Sequence, residues 1–230
     1  MLRLGKRSDA EVTARSTYLG SGRVPLGYML THGLESLVND PLLLMIRYMP
    51  GLMGFKLRQI YYKNKLGMMG KGVLFDPDVI IGMPKNVYLD DFCYLGKGTQ
   101  IYAPEGYIKI GKRCHVGSWI LGHGGVEIGD YCAVGGSILS VTDSHQGGAR
   151  MSGPMVPMEQ RNLKYGKITI EDDAFIGQHS MIMPGVTIGE GAIVGPYSMV
   201  IRNVKPWTVV MGSPARFVDT REKVKYSRPD

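Results

Sequence analysis

A six-residue repeat constrains the fold of this chain more than any other feature of its sequence. From Ile170 onward a large aliphatic residue returns at every sixth position, and a smaller or β-branched residue stands two places before each one. The large residues are Ile170, Ile176, Ile182, Ile188, Val194 and Val200, and their partners are Ile168, Ala174, Ser180, Val186, Ala192 and Ser198. An α-helix has no six-residue period, and turn residues interrupt the pattern too often for a long strand. The spacing therefore predicts a coiled repeat of short strands.

The same period begins further upstream. It runs through Leu89, Leu95 and Ile101, shifts phase by three residues around 104–106, and resumes as Ile110, Val116, Gly122, Ile128, Val134 and Ser140. Each hexad suffices for one strand and a corner, so three hexads close a triangular coil, and stacked coils about 4.8 Å apart pair as parallel strands. We expect both repeat residues to point inward. The predicted fold is mainly β: a parallel β-helix with a short helical N-terminal cap and a C-terminal tail.

The cysteines provide a test of this register. Cys93, Cys114 and Cys132 all fall at the small inward position, and their spacings are one coil and one coil plus the three-residue insertion. They should therefore stack in one column inside the prism as buried, reduced thiols. Unpaired inward thiols and the lack of a signal-peptide pattern lead us to expect a cytoplasmic protein.

The net charge of +7 favours an anionic partner. We do not expect a nucleic-acid partner, because the basic residues are scattered and no recognition motif accompanies them. A phosphate-rich cofactor, an acidic glycan or an anionic membrane surface suits this charge better.

The chain divides into three parts by pattern. Residues 1–70 are an N-terminal arm and helical cap, residues 71–204 form the β-helix, and residues 205–230 form the tail. Asp40-Pro41 marks a helix start, Pro50-Gly51 ends that helix, and residues 52–62 form a second one. Two interpretations of this helical pair stay open: it caps the open edge of the first coil, or it lies on the inner membrane as a peripheral contact.

The repeat fails in one place, between Ser140 and Ile168, so residues 141–167 form an excursion from the coil. A long interruption of a regular repeat usually carries function.

From this excursion to the tail, the sequence resembles the sugar O-acetyltransferases of the hexapeptide-repeat superfamily. That group includes galactoside and maltose acetyltransferases and the acetyltransferases of polysaccharide and O-antigen clusters. The motifs that carry the resemblance are His145, Tyr165-Gly166, Phe175-Ile176-Gly177, Pro184 to Gly189, Ile193 to Ser198, and Gly212 to Arg216. The resemblance implies a left-handed β-helix and a homotrimer with active sites between neighbouring subunits. It also implies acetyl-CoA as cosubstrate, no metal, and transfer to a sugar hydroxyl, or less often an amine, in surface polysaccharide or lipopolysaccharide synthesis.

The resemblance also assigns residues to roles. His145 matches the catalytic base, and His115 and His123 align with positions that contact the acceptor sugar. Positions that contact CoA are matched by Gln178, Pro196, Arg202 and Arg216.

The chemistry of acyl transfer agrees with a histidine in this place. A sugar hydroxyl loses its proton as it attacks the thioester, and an imidazole can accept that proton near neutral pH. The oxyanion that forms needs a backbone N–H donor, which we assign to an amide near Gly177. Asp143 either orients the imidazole of His145 or forms a turn.

Two other functions are open to a chain with this coil. The first is a zinc enzyme resembling the γ-carbonic anhydrases, but these need two histidines separated by four residues, whereas His115 and His123 are eight apart. The second is a non-catalytic scaffold, against which the excursion and His145 argue.

Overall fold

Short strands stack into three sheets that form the sides of a triangular prism. The structure is a computed structural model, and it describes residues 41–139, 141–143 and 163–223. The chain passes in turn from the first side (face A) to the second (face B) and the third (face C). The strands are parallel within each face, except for the last pair on face B, which is antiparallel.

The three faces consist of the following strands. Face A contains Met68–Met69, Val87–Leu89, Ile108–Ile110, Val126–Ile128, Ile168–Ile170 and Thr187–Ile188. Face B contains Leu74–Phe75, Tyr94–Leu95, His115–Val116, Ala133–Val134, Phe175–Ile176, Ile193–Val194, Thr208–Met211 and Arg216–Thr220. Face C contains Ile80–Gly82, Gln100–Tyr102, Trp119–Leu121, Ser137–Leu139, Met181–Ile182 and Met199–Val200.

The repeat residues fill the inside of the prism in vertical columns. On face A one column contains Leu89, Ile110, Ile128, Ile170 and Ile188, which pair in register and are at most 3% exposed. Full burial of such a side chain stabilises the fold by about 1.5–3 kcal/mol. The predicted left-handed parallel β-helix is confirmed.

Two coils depart from the predicted phase. The repeat puts Gly122 and Ser140 at inward positions of face C, but Ile120 and Ile138 pair in register with Ile182 there and are fully buried. Ile120 therefore takes the place in the inward column that the repeat assigned to Gly122, which is itself buried beside Ile108, and Ser140 lies outside the described residues. The reason is that in these coils the corner between faces B and C is two residues shorter than elsewhere. The next corner, between faces C and A, contains the residues that the first corner lacks.

The cysteine column is confirmed. Cys93, Cys114 and Cys132 are buried free thiols, and each donates a hydrogen bond to a carbonyl oxygen at the corner of the next coil. The Sγ–O distances are 2.9, 2.9 and 3.1 Å, to Gly111, Gly129 and Glu171. These bonds satisfy carbonyl groups that no strand reaches.

Two helices cover the first coil. Helix α1 is described over residues 41–48, helix α2 is Gly51–Lys63, and a 3₁₀ turn at Pro84–Asn86 lies in the next coil. Carbonyl oxygens of the open coil accept hydrogen bonds from α2: Phe75 from Arg58, Val73 from Gln59 and Val79 from Tyr62. In the described part of the chain no helix has the length and apolar character needed to cross a membrane.

The excursion leaves the prism where face C turns into face A. Its two ends, Val141–Asp143 and Leu163–Tyr165, pair as antiparallel strands outside the prism. The first coil strand begins at Met68, and the tail adds the last two strands to face B. The two described ends of the excursion therefore leave the prism at one of its long edges.

Candidate functional site

The corners between faces B and C form a long edge, the B–C edge, and in two consecutive coils this edge is set back. Leu95 and Ile101 are six residues apart across it, as are Ile176 and Ile182. Val116 and Ile120 are only four apart, and so are Val134 and Ile138. The shortened corners, residues 117–118 and 135–136, leave a recess between full-length corners on either side.

The recess is open and has aromatic side chains at its rim. A Cβ atom on Gly117 would have no heavy atom within 4 Å, as is also true of Gly98 in the full-length corner of the preceding coil, so both corners are open to solvent. His115 and Trp119, on either side of this corner, are both exposed. Gly135 occupies the corresponding corner of the next coil, and Gln178 of the coil after that packs against it. A Cβ on Gly135 would lie 3.0 Å from the Gln178 Cγ.

Inward hydroxyl groups hold the edge in place. Thr99 Oγ1 donates to the carbonyl oxygens of Gly96 and Val116 at 2.7 and 2.9 Å, and Ser180 Oγ donates to Gly195 O at 2.7 Å. Ser118 Oγ also donates to the Gly136 carbonyl. These buried bonds fix the corner backbone, so the recess is pre-formed.

Gly177 lies on this edge, but its backbone N–H already donates a hydrogen bond to the next coil. The Gly177 N–H donates to Val194 O at 2.8 Å, so an oxyanion donor at this corner would be a neighbouring amide. A Cβ on Gly177 would lie 2.5 Å from the backbone nitrogen of Pro196. Close stacking of the two coils therefore explains why a glycine stands at this position.

Beyond the recess the edge carries a stacked aromatic pair. The rings of His179 and Tyr197 lie 5.1 Å apart with an interplanar angle of 24°. Tyr197 is 72% exposed, and both residues have left-handed backbone angles. Pro196 lies beside them, and Arg216 follows at the end of face B.

The B–C edge favours anions. From the second coil to the sixth its corner residues include Lys97 and His179 but no acidic residue. A surface groove of about 740 Å³ along face A has the opposite character. Its charged lining consists of Asp90, Glu127, Asp130, Glu171, Asp172 and Glu190, together with Lys109. A phosphate-rich ligand would be repelled by that groove and accepted at the B–C edge.

The corners between faces C and A form a second edge, the C–A edge, from which the excursion projects. His123, the strand that contains Asp143, and Arg202 all lie along it. The Nδ1 atom of His123 is buried and has no hydrogen-bond partner among the described residues. Burial lowers the pKa of its imidazole, and the carboxylate of Glu105 opposes that effect.

A polar cluster anchors the returning end of the excursion. Lys167, the residue before the strand Ile168–Ile170, lies 2.6 Å from the carboxylate of Glu127. Tyr107 Oη donates to the other oxygen of Glu127 at 2.7 Å. Hydrogen bonds from Lys167 and Tyr107 lower the pKa of Glu127, and the bond to Glu127 raises the pKa of Tyr107.

The structure thus separates the predicted site residues into two groups. His115, Gly177, Gln178, Pro196 and Arg216 lie along the B–C edge. The C–A edge contains His123, Asp143 and Arg202, and His145 lies outside the described residues, as does the side chain of Asp143. The two edges are separated by face C, whose strands of two or three residues span about 7–10 Å.

Sequence reasoning missed two features of these edges. The recess was visible as the four-residue spacing from Val116 to Ile120, which a search for a strict six-residue period passes over. The cluster of Tyr107, Glu127 and Lys167 left no such signal, because its members come from three coils. Among residues 41–139, 141–143 and 163–223, no three His, Cys, Asp or Glu side chains lie close enough to hold a metal ion.

Comparison with known proteins identifies the kind of molecule that this prism belongs to. Residues 167–202 match the family described as "Bacterial transferase hexapeptide (six repeats)". The chain is 34% identical over 146 residues to a dTDP-4-amino-4,6-dideoxy-D-glucose acyltransferase of Escherichia coli, covering 62% of this chain and 73% of the relative. The chain belongs to the hexapeptide-repeat sugar acyltransferases.

Solved structures agree with this family. AntD, an N-acyltransferase from Bacillus cereus, has a TM-score of 0.65 and 25% identity, over 72% of this chain and 89% of AntD. Its structures contain dTDP with coenzyme A, and in another case dTDP with 3-hydroxybutyryl-CoA. A maltose O-acetyltransferase from Clostridium difficile shares the fold, with a TM-score of 0.54 and 18% identity over 80% of this chain and 84% of that one. Enzymes named for transfer to nitrogen and to oxygen therefore share this fold.

Proposed function

We propose that this acyltransferase moves an acetyl group from acetyl-CoA to a sugar in the synthesis of a surface polysaccharide or lipopolysaccharide. Family membership supports the acyl transfer, and AntD with its bound coenzyme A supports CoA as the carrier. The observation that carries the proposal is the shortened, open corner at Gly117 on a B–C edge whose corners contain no acidic residue from the second coil to the sixth. The recess offers room for a reacting group beside a surface that accepts phosphates. Free buried thiols suit a cytoplasmic enzyme.

The proposed reaction needs no covalent enzyme intermediate, because the acyl group arrives activated. His145 accepts the proton of the acceptor hydroxyl as the hydroxyl oxygen attacks the thioester carbonyl. The tetrahedral oxyanion receives a hydrogen bond from a corner amide, for which Gln178 is our candidate, since the Gly177 amide is engaged. The C–S bond then breaks, and the CoA sulfur takes the proton from the imidazole. Asp143 would orient the ring of His145 on the side away from the acceptor.

The remaining residues bind the two substrates in this proposal. Gly177, Gln178 and Pro196 form the part of the B–C edge along which the pantetheine arm of CoA would lie. The guanidinium groups of Arg202 and Arg216 are exposed and suit its phosphates. The rim residue His115 on one edge and His123 on the other would contact the sugar.

The separation of these residues on two edges supports a homotrimer. We propose that the B–C edge of one subunit meets the C–A edge and excursion of its neighbour, so that each site combines both groups. Subunit mixing tests this arrangement with His145→Ala and Gly117→Leu, each expected to lose about tenfold or more of the activity when alone. If the site combines two chains, random mixed trimers regain about a quarter of the wild-type activity, because one site in four draws both intact residues. If one chain supplies both residues, mixing restores nothing.

The nature of the acceptor atom separates two forms of the proposal. A hydroxyl acceptor needs a base during attack, which agrees with the role given to His145. An amine acceptor is the second candidate, and the relatives from Escherichia coli and Bacillus cereus favour it. A neutral amine attacks without prior help and loses its proton afterwards, so its rate should depend less on His145. Treatment of the product with mild alkali distinguishes them, since an ester is cleaved and an amide survives.

Release of CoA thiol in the presence of nucleotide sugars, lipid-linked sugars and free glycans tests the proposal directly. We expect one acceptor class to support turnover with acetyl-CoA, and His145→Ala to reduce kcat/KM by more than about tenfold. 3-Hydroxybutyryl-CoA should be offered as a second donor. If the variant keeps more than about a tenth of kcat/KM with a hydroxyl acceptor, the assignment of the base is wrong.

A further inference from the structure

The side of the helical pair that faces away from the prism is unusually apolar. Leu44, Met45 and Tyr48 on α1 and Leu52, Met53 and Ile60 on α2 are between 47% and 86% exposed. On α1 the exposed positions 41, 44, 45 and 48 follow the helical period, and every one of them is apolar or aromatic. We refer to these six residues as the apolar stripe.

Buried contacts hold the stripe in a fixed orientation on the end of the prism. The guanidinium of Arg58 is 1% exposed and donates to Phe75 O in the first coil at 2.8 Å. It also donates to the carbonyl oxygens of Ile46 and Met49 at the end of α1, at 3.1 and 2.8 Å. The ring of Tyr62 packs 4.8 Å from that of Phe75. Since the inner side of the pair is used in this way, the stripe is left as its outer side.

The charged residues of the helical pair have one sign, although the first coil places carboxylates beside it, since Tyr48 Oη donates to Asp78 Oδ1 at 2.9 Å. Residues 41–75 contain six Lys or Arg side chains and no Asp or Glu. Lys56 and Lys63 lie on the same side of α2 as Leu52 and Ile60, and both are exposed. Apolar side chains with Lys at their border match an anionic bilayer surface, in which the apolar groups enter the interface and the ammonium groups remain with the headgroups.

We propose that the apolar stripe docks the acyltransferase on an anionic lipid surface, with the helices lying in the interface. At 1.5 Å per residue α2 is about 20 Å long, too short to span a bilayer of about 30 Å, and no helix in the described part of the chain is long and apolar enough to cross one. A symmetric contact between two copies is disfavoured, because it would bring the Lys56 and Lys63 side chains of both copies together. The prism then stands end-on, first coil towards the lipid. The B–C edge extends away from the surface. This inference does not depend on the proposed acyl transfer.

Co-sedimentation of the full chain with vesicles tests the proposal. One set of vesicles is phosphatidylcholine alone, and the other contains about 30% phosphatidylglycerol. We expect binding to the anionic vesicles only, with a several-fold loss at about 0.5 M salt. The double variant Leu52→Asp/Met53→Asp should lower the bound fraction about tenfold or more.

The tail provides a matched control. Phe217 and Val218 are also adjacent exposed apolar residues, at 64% and 57%, but they lie on the last strand of face B, at the other end of the prism from α2. Phe217→Asp/Val218→Asp makes the same chemical change and should bind vesicles like the wild type. We expect circular dichroism melting to show that both double variants remain folded.

Three outcomes overturn the proposal. The first is that the wild type sediments equally with neutral and anionic vesicles, or with neither. The second is that Leu52→Asp/Met53→Asp binds as well as the wild type. The third is that this variant changes the sedimentation-equilibrium mass without changing lipid binding, which would identify the stripe as a contact between copies of the chain.

Discussion

Gly117 and Gly177 occupy the same corner position two coils apart, and a side chain would meet opposite surroundings at the two places. The strands before them pair in register through Val116, Val134 and Ile176, and both amides donate to the next coil. A Cβ on Gly117 would have nothing within 4 Å, whereas one on Gly177 would lie 2.5 Å from the backbone nitrogen of Pro196. The pair therefore distinguishes a glycine that stacking requires from one that leaves space open.

Gly177→Ala should destabilise the fold, because the backbone of the next coil must move to admit a methyl group. We expect the free energy of unfolding to fall by about 1–3 kcal/mol. Gly117→Ala is the control and should stay within about 0.5 kcal/mol of the wild type. Urea denaturation followed by circular dichroism measures both. Equal losses of stability in the two variants would contradict the difference in packing.

Gly117→Leu should block acyl transfer without unfolding the protein. The larger side chain extends into the recess between His115 and Trp119, which is open to it, so the cost to folding is small. We expect kcat/KM for acyl transfer to fall about tenfold or more, while the urea midpoint changes little. Normal turnover by a folded Gly117→Leu variant would show that neither substrate enters the recess.

The recess also shows where sequence reasoning succeeded and where it failed. Hexad spacing gave the coil, the inward columns and the stacking of the three cysteines, because side-chain direction in a strand follows from sequence position alone. The same rule misplaced Gly122, since two residues had moved from one corner to the next and Ile120 filled the inward position. A search for a strict six-residue period passes over such a compensated shift. Ile120 and Ile138 are nevertheless large aliphatic residues that fall outside the period.

Contacts between distant coils lay beyond the reach of a local pattern. Glu127 meets Tyr107 and Lys167 only because three coils stack at one corner, and the capping bonds of Arg58 depend on how α2 crosses the first coil. The assignment of His145 came from resemblance to a family, and it stays a prediction. Local spacing therefore defines the prism, and the stacking of coils defines what its edges carry.

Glu127→Gln should impair catalysis more than stability. The ion pair to Lys167 is exposed and contributes little to folding, but it holds the residue through which the excursion rejoins face A. We expect kcat/KM to fall about threefold to tenfold through misplacement of the excursion, with a nearly unchanged melting temperature. Glu171→Gln is the matched control, because Glu171 accepts a hydrogen bond from the Glu190 amide on the same face. Equal activity in the two variants would remove Glu127 from any positioning role.

The three thiols should be inert in the folded protein. Burial raises the pKa of Cys93 to about 12, and the hydrogen bond with Cys132 together with burial raises the pKa of Cys114. Since only the thiolate reacts, an aromatic disulfide reagent at neutral pH should modify less than about a tenth of the thiols in the native state. All three cysteines of the chain should react in denaturant. Rapid modification of the native protein would mean that the column is accessible.

His123 should make the fold less stable in mild acid. Burial lowers the pKa of its imidazole, so the unfolded chain binds the proton more readily than the folded one. Stability from the neutral ring is complete above the unfolded pKa of about 6.5 and declines as the pH falls towards the lower folded value. His123→Phe removes this group, so its free energy of unfolding should decline less between neutral pH and about pH 5.5 than that of the wild type. Glu105→Gln removes the carboxylate that opposes the effect of burial, so its decline should be steeper. Identical pH dependence in all three proteins, measured by urea denaturation, would show that His123 is not the group responsible.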